Sequence, residues 1–257
     1  MTNGDTTGSR ASRAQVPPTV GRYRARWHRM LRFIAQRMVL RPVVSSVTRT
    51  TVEGLDNTEG LDRPFVLVAN HCSHLDTAVI MSQLPYRLTK HVSVGAAADY
   101  FYSRWWIKAT TSLFFNTYPI QRSGAGRRGR GLSQQLLRAR VPIMLFPEGT
   151  RSRDGAMRAF KPGAAMLAIT NGVPIVPTAL VGTHTAMPVG RFWPVPGRPP
   201  VRVLVGRPMR PRAGESIRDF NDRIRQRIET MLTMQTPYVV GDSARNDRRG
   251  RSQEEAS

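Results

Sequence analysis

The chain holds one cysteine in 257 residues, Cys72, so no intrachain disulfide can form. No apolar run is long enough to span a bilayer, and no stretch has the organisation of a signal peptide. These absences argue against a disulfide scaffold and a spanning helix, and they predict a reduced, cytoplasmic location. Acidic residues are also scarce: 17 Asp and Glu against 39 Lys and Arg leave a formal net charge of +22. Lysine is scarcer still, with only Lys90, Lys108 and Lys161 among the basic residues. The charge predicts attraction to nucleic acid, an anionic lipid surface or a phosphorylated substrate. The arginine skew can follow from genome base composition, which lessens its weight. No zinc-finger spacing, aromatic RNA-binding signature or basic zipper accompanies it, which argues against specific nucleic-acid recognition.

A hydrophobic fraction of 40% in a chain of this length is enough for a substantial core. Residues 1–20 and 236–257 are polar and aperiodic and read as disordered tails. Residues 21–50 form a basic helical element in which Tyr23, Trp27, Met30, Leu31, Ile34 and Met38 share one stripe, while Arg22, Arg26, Arg29 and Arg32 lie largely off it. Such a helix suits a membrane interface, and it suits equally a helix packed on a core with its basic face in water. Residues 51–235 alternate apolar runs with helical patterns, which predicts an α/β domain. "PFVLVAN", "VPIMLF", "VPIVPTAL" and "PVRVLVG" read as strands; helices are predicted over 73–84, 132–140, 163–171 and 215–232.

The chemistry concentrates in "NHCSHLD", residues 70–76, where a strand gives way to a helix. Ser73 and Asp76 have the spacing of a capping box, with Asp in place of Glu or Gln. A metal site would need further converging ligands, but His28, His91 and His184 stand isolated. Cys72 is a poor nucleophile candidate because adjacent residues of an extended chain point to opposite sides, leaving His71 badly placed to serve it. It reads as a small buried spacer. What remains is His71 as a general base, with Asp76 on its other ring nitrogen and a substrate hydroxyl in place of a serine. His74 would face away on a helix starting at Ser73.

Further on, "PEGTRS", residues 147–152, follows a strand with a carboxylate, a glycine and an arginine. Arg151 and Arg122, the latter from "YPIQRSG", are forked donors suited to a phosphate, and backbone at Gly149 can approach a ligand closely. Glu148 has the chemistry to orient Arg122 or to accept from a substrate hydroxyl. Singly, each of these is also an ordinary surface charge or turn.

Together, "NHCSHLD", "YPIQR", "FPEGTRS" and "VPIVPTAL" resemble, in order and spacing, the four blocks of the glycerolipid acyltransferase family typified by 1-acylglycerol-3-phosphate O-acyltransferase. The resemblance covers residues 52–208. It implies a mixed, largely parallel α/β sheet flanked by helices, with an N-terminal helical element for membrane contact. It implies His71 and Asp76 as the catalytic pair and Arg122, Glu148, Gly149, Thr150 and Arg151 as acceptor ligands. Val173, Pro174, Ile175, Val176 and Pro177 would lie along the acyl chain. The implied reaction moves an acyl group from acyl-CoA or acyl carrier protein, as co-substrate, to a lysophospholipid at an anionic phospholipid surface on the inner face of the cell membrane. No metal or other cofactor is implied, and backbone amides after His71 are candidate donors to the oxyanion. Asn116 and Gln121 depart from the family's second block, so the acceptor stays open among lysophosphatidate, another lysophospholipid, glycerol phosphate and a glycolipid hydroxyl.

Other classes compete. "GAGRRG", residues 124–129, has the glycine spacing of a dinucleotide loop, with Glu148 as the ribose acid and Arg127 and Arg128 for a 2′-phosphate, as in an NADP-dependent oxidoreductase. Gln121, Arg122 and Ser123 intervene between the preceding strand and these glycines, however, and a basic loop accounts for them. A non-catalytic lipid- or carrier-binding module and a thioester hydrolase are the remaining alternatives.

Overall fold

The computed structural model describes residues 18–97, 105–120 and 127–234. The expected tails fall outside that set, except that residues 18–20 are helical. The four apolar runs form the strands Val66–Ala69 (β2), Ile143–Leu145 (β5), Ile175–Val181 (β6) and Pro200–Val205 (β7). Arg49–Glu53 (β1), Ser93–Ala97 (β3) and Tyr118–Ile120 (β4) join them. Among the described residues these seven strands make one sheet in the order β1-β7-β6-β2-β5-β3-β4. Every neighbouring pair is parallel except β6 and β7. The fold is therefore mixed α/β with a largely parallel sheet.

The central strand β2 shows why its sequence is continuously apolar. Val66 and Val68 enter one core layer with Ile143, Ile175, Phe220 and Ile224; Leu67 and Ala69 enter the opposite layer with Met144, Val176, Val79 and Ile80. Helices Gly163–Asn171 and Ile217–Thr233 cover the first layer, and Leu75–Gln83 the second. A strand covered on both faces has no solvent side, so period-two alternation disappears. Because β2 and β5 run parallel, the loops after Ala69 and Leu145 leave at the same sheet edge, which brings "NHCSHLD" beside "FPEGTRS".

The N-terminal element consists of the α-helices Pro18–Arg24 (α1), Arg26–Ile34 (α2) and Arg41–Val47 (α3), with a π-helical segment, Ala35–Leu40, joining α2 to α3. Its polarity runs opposite to that of a core-packing helix. Trp27, Met30 and Met38 are 59%, 61% and 72% exposed, and Leu31, Phe33 and Ile34 also face outward. Arg32 and Gln36 are buried, alongside Val20, Tyr23, Ala35 and Val44. Gln36 Nε2 donates to the Phe114 carbonyl at 2.6 Å, and Arg32 Nη2 to the Lys90 carbonyl at 3.3 Å. Burial pulls the Arg32 guanidinium down to about 10, still charged at neutral pH. Of the predicted stripe only Tyr23 reaches the core, so of the two readings of this helix, the one with its apolar face packed on the body does not describe it.

Candidate active site

The turn after β2 is organised around one buried oxygen. Asp76 is fully buried in the first turn of Leu75–Gln83, and its Oδ2 accepts from His71 Nδ1, from the Cys72 N–H and from the Ser73 N–H, each at 2.8 Å. A carboxylate only accepts, so Nδ1 carries the proton and Nε2 is left with its lone pair. The reach of Asp76 back to the Ser73 N–H is one half of the expected capping box. The other half is absent: Ser73 Oγ accepts from the Leu75 N–H and donates to the Met187 carbonyl at 2.7 Å.

The third block clamps the histidine from behind. Glu148, 4% exposed, accepts the His71 N–H on Oε1 at 2.7 Å and the Arg158 N–H on Oε2 at 3.0 Å. Burial raises the Glu148 carboxyl and these two N–H groups counter it. The Ser152 N–H donates to the His71 carbonyl at 2.8 Å, so both backbone polar groups of His71 are held. Phe146 stacks on the imidazole with centroids 4.0 Å apart and planes at 17°. The ring is thereby fixed in position and tautomer.

His71 opens onto a cavity of about 820 Å³ with two kinds of lining. Arg151, Arg153, Lys161, Thr150 and His74 give it cationic and polar lining. Gly95, Ala97, Phe115, Ile120, Leu145 and Leu167 add apolar lining. Arg151 Nη1 is buried without a hydrogen-bond partner. Gly149 has φ of 75°, and a Cβ there would stand 2.8 Å from Lys161 Nζ, so glycine serves both the turn and the lysine's path.

Several expectations change. His74 lines the cavity instead of facing away, because the helix starts at Leu75 and leaves His74 in the turn. Burial first, then the Arg151 and His71 charges, lower its imidazole pKa. Val173 and Pro174 are buried just before β6, and Ile175, Val176 and Pro177 are buried in β6 beside β2; none lines the cavity, whose apolar lining comes from β3, β4, β5 and neighbouring helices. Of the backbone amides after His71 that were candidates for the oxyanion, those of Cys72 and Ser73 are taken by Asp76. Arg122 lies outside the described residues, as do residues 124–126 of the glycine-rich loop, while Arg127–Arg138 is helical. Glu148, the acid that the dinucleotide reading needs, is turned to the backbone of His71 and Arg158. Cys72 is buried with Sγ 3.2 Å from Thr183 Oγ1, and burial pushes its thiol up to about 12, as expected of a spacer and not of a nucleophile. Lys161 escaped sequence reasoning, although its rarity in an arginine-rich chain was a signal.

Among the described residues no three His, Cys, Asp or Glu side chains group to hold a metal ion. A family described as Acyltransferase matches residues 49–181. A chloroplastic 1-acyl-sn-glycerol-3-phosphate acyltransferase of Brassica napus is 28% identical over 73% of this chain and 52% of its own length. A chloroplastic enzyme of the same description from Arabidopsis thaliana is 31% identical over 63% of this chain and 44% of its own. The chain spans about half the length of such curated relatives. The crystal structure of the 1-acyl-sn-glycerophosphate acyltransferase of Thermotoga maritima shares the fold, with a TM-score of 0.59 at 24% identity over 79% of this chain and 82% of that one.

Proposed function

Since the chain belongs to the Acyltransferase family, we propose that it moves a fatty acyl group from an acyl thioester to the free hydroxyl of 1-acylglycerol-3-phosphate, as a step of phospholipid biosynthesis. The observation that carries the reading is an imidazole held on a buried carboxylate, with Nε2 left as base on a cavity lined by both cationic and apolar side chains. That combination matches an acceptor with a phosphate and a donor with a hydrocarbon chain.

His71 Nε2 takes the acceptor's hydroxyl proton as the oxygen attacks the thioester carbonyl. The tetrahedral oxyanion collapses, the C–S bond breaks, and the imidazolium returns its proton to the departing thiolate. Asp76 stabilises the imidazolium meanwhile. With the Cys72 and Ser73 amides engaged, the oxyanion draws on the cationic lining that includes Lys161. Arg151, with its unpartnered Nη1, and Thr150 hold the acceptor's phosphate, and Arg122 is assigned the same role from its place in the second block. The reaction needs no metal and no covalent enzyme intermediate; acyl-CoA or acyl carrier protein is the donor, and both are anionic partners for a chain of charge +22.

No helix among the described residues is long and apolar enough to cross a membrane. The outward stripe of Trp27, Met30, Leu31 and Ile34 between exposed arginines supports peripheral docking on anionic phospholipid at the inner face of the cell membrane. The test is transfer of radiolabelled palmitate from palmitoyl-CoA, then from palmitoyl carrier protein, to lysophosphatidate in liposomes. Wild type transfers label, and folded His71→Ala loses about 10² to 10⁴ in rate. Undiminished transfer by the variant would remove His71 from the mechanism.

A further inference from the structure

The segment Pro188–Pro199, between the short helix Thr183–Ala186 and β7, presents two aromatic side chains to solvent side by side. Phe192 is 93% exposed, more than any other large hydrophobic side chain described, and Trp193 is 61% exposed. Single exposed apolar residues are commonplace, so the surroundings decide. Arg191 and Arg198 flank the pair and are exposed as well, and residues 155–214 contain no Asp or Glu. Pro188, Pro194, Pro196 and Pro199 restrict the backbone, so the tip is presented at a small entropic cost.

The base of the segment joins the catalytic turn. Ser73 Oγ donates to the Met187 carbonyl at 2.7 Å, the Val195 N–H returns to the Ala186 carbonyl at 2.8 Å, and Val189 lines the cavity onto which His71 opens. Its far end reaches the N-terminal element, where Arg198 Nη2 donates to the Ser45 carbonyl at 2.7 Å. The tip is thus coupled both to the catalytic turn and to the helices that carry the other exposed apolar surface.

We propose that Phe192 and Trp193 form a second interfacial anchor that enters an anionic phospholipid bilayer and turns the mouth of the His71 cavity toward the lipid. Aromatic rings backed by arginine suit the headgroup boundary, where ring and guanidinium each find their medium. A single helix lying in that boundary leaves the body free to roll about the helix axis; a second contact removes the freedom. The proposal rests on the acyltransferase reading only in requiring that the acceptor be drawn from the bilayer.

The test has two arms. A variant with Trp27→Phe, Trp105→Phe and Trp106→Phe keeps Trp193 as sole tryptophan, and its emission is read with excess phosphatidylglycerol vesicles carrying brominated acyl chains, binding being checked by sedimentation. A blue shift and strong quenching support the anchor; solvent-like, unquenched emission from vesicle-bound protein overturns it. In the second arm, Phe192→Ser with Trp193→Ser, checked by its melting curve, loses about tenfold in turnover of a long-chain acceptor held in vesicles. It keeps turnover of a short-chain acceptor dissolved as monomers. Equal loss on both acceptors, or loss on neither, overturns the proposal. If wild type turns over neither acceptor, the acyltransferase reading fails while the quenching arm still decides the anchor.

Discussion

The catalytic turn and the N-terminal element treat polar groups in opposite ways. In the turn, charge is inside and enclosed: Asp76 holds three donors on one oxygen and Glu148 holds two backbone N–H groups. In the element, Arg32 and Gln36 go inside to reach carbonyls while Trp27, Met30 and Met38 are left outside. The first arrangement minimises free energy against water. The second leaves apolar side chains facing outward, an arrangement that the proposed docking on phospholipid would relieve. Periodicity tells which residues share a face but not which face is buried.

The largest effect expected on this contrast is at its buried charge. Asp76→Asn can keep all three donors on its amide oxygen, but it places an N–H₂ at the buried, partnerless Oδ1 position and removes the negative charge that stabilises the His71 imidazolium. Turnover should fall about 10² to 10⁴, read by palmitate transfer on protein whose circular dichroism matches wild type. Glu148→Gln is milder and more discriminating. One buried N–H loses its acceptor, costing about 1–3 kcal/mol of stability in a denaturant melt. Since Glu148 is tied to the His71 backbone, kcat should fall with acceptor KM little changed; a raised KM at constant kcat would return Glu148 to the acceptor ligands.

On the other side of the contrast, Trp27→Ser with Ile34→Ser should weaken sedimentation with phosphatidylglycerol vesicles by about tenfold or more, because each large apolar side chain contributes about 1.5–3 kcal/mol when fully transferred from water. The melting temperature without lipid should hold or rise, as both side chains already face solvent. A drop in that temperature would show that the stripe packs on the body.

These residues also mark what was readable in advance. Strands β2 and β5 were legible because burial on both faces produces unbroken apolar runs, and β6 and β7 because their apolar runs are broken only by Thr178 and Arg202. The edge strand β1 reads "RTTVE" and β4 only "YPI", too polar or too short to stand out. His71 and Asp76 were legible because both belong to one turn between a strand and a helix. Lys161 was not, since a loop returns it to the site from ten residues beyond Arg151, and no local period encodes a return. His74 was misplaced by a helix boundary, and boundaries are where sequence signals are weakest. Residues 173–177 were assigned to the acyl wall by block order, whereas they are buried at the start of β6, beside β2.

The smallest effect lies at the opposite sheet edge, where positive groups gather without a reaction to serve. His91 precedes β3, and its pKa is lowered to about 4, by burial first and then by the charges of Arg63, Arg29, Lys90 and Arg32. Well above pH 6.5 the imidazole is neutral folded and unfolded, and contributes no pH dependence. As pH falls from about 6.5 toward about 4 the unfolded chain binds a proton that the folded chain refuses, so stability declines through that window. His91→Asn removes this term, and its melting temperature should gain on wild type between pH 6.5 and 4 while the difference stays constant above pH 7.5. Anionic vesicles place a counter-charge beside the cluster if the Arg29 face of α2 lies on the bilayer, and should then narrow the gain. A gain unchanged by vesicles would mean that the bilayer contacts the apolar stripe and leaves the Arg63 side of the cluster in water.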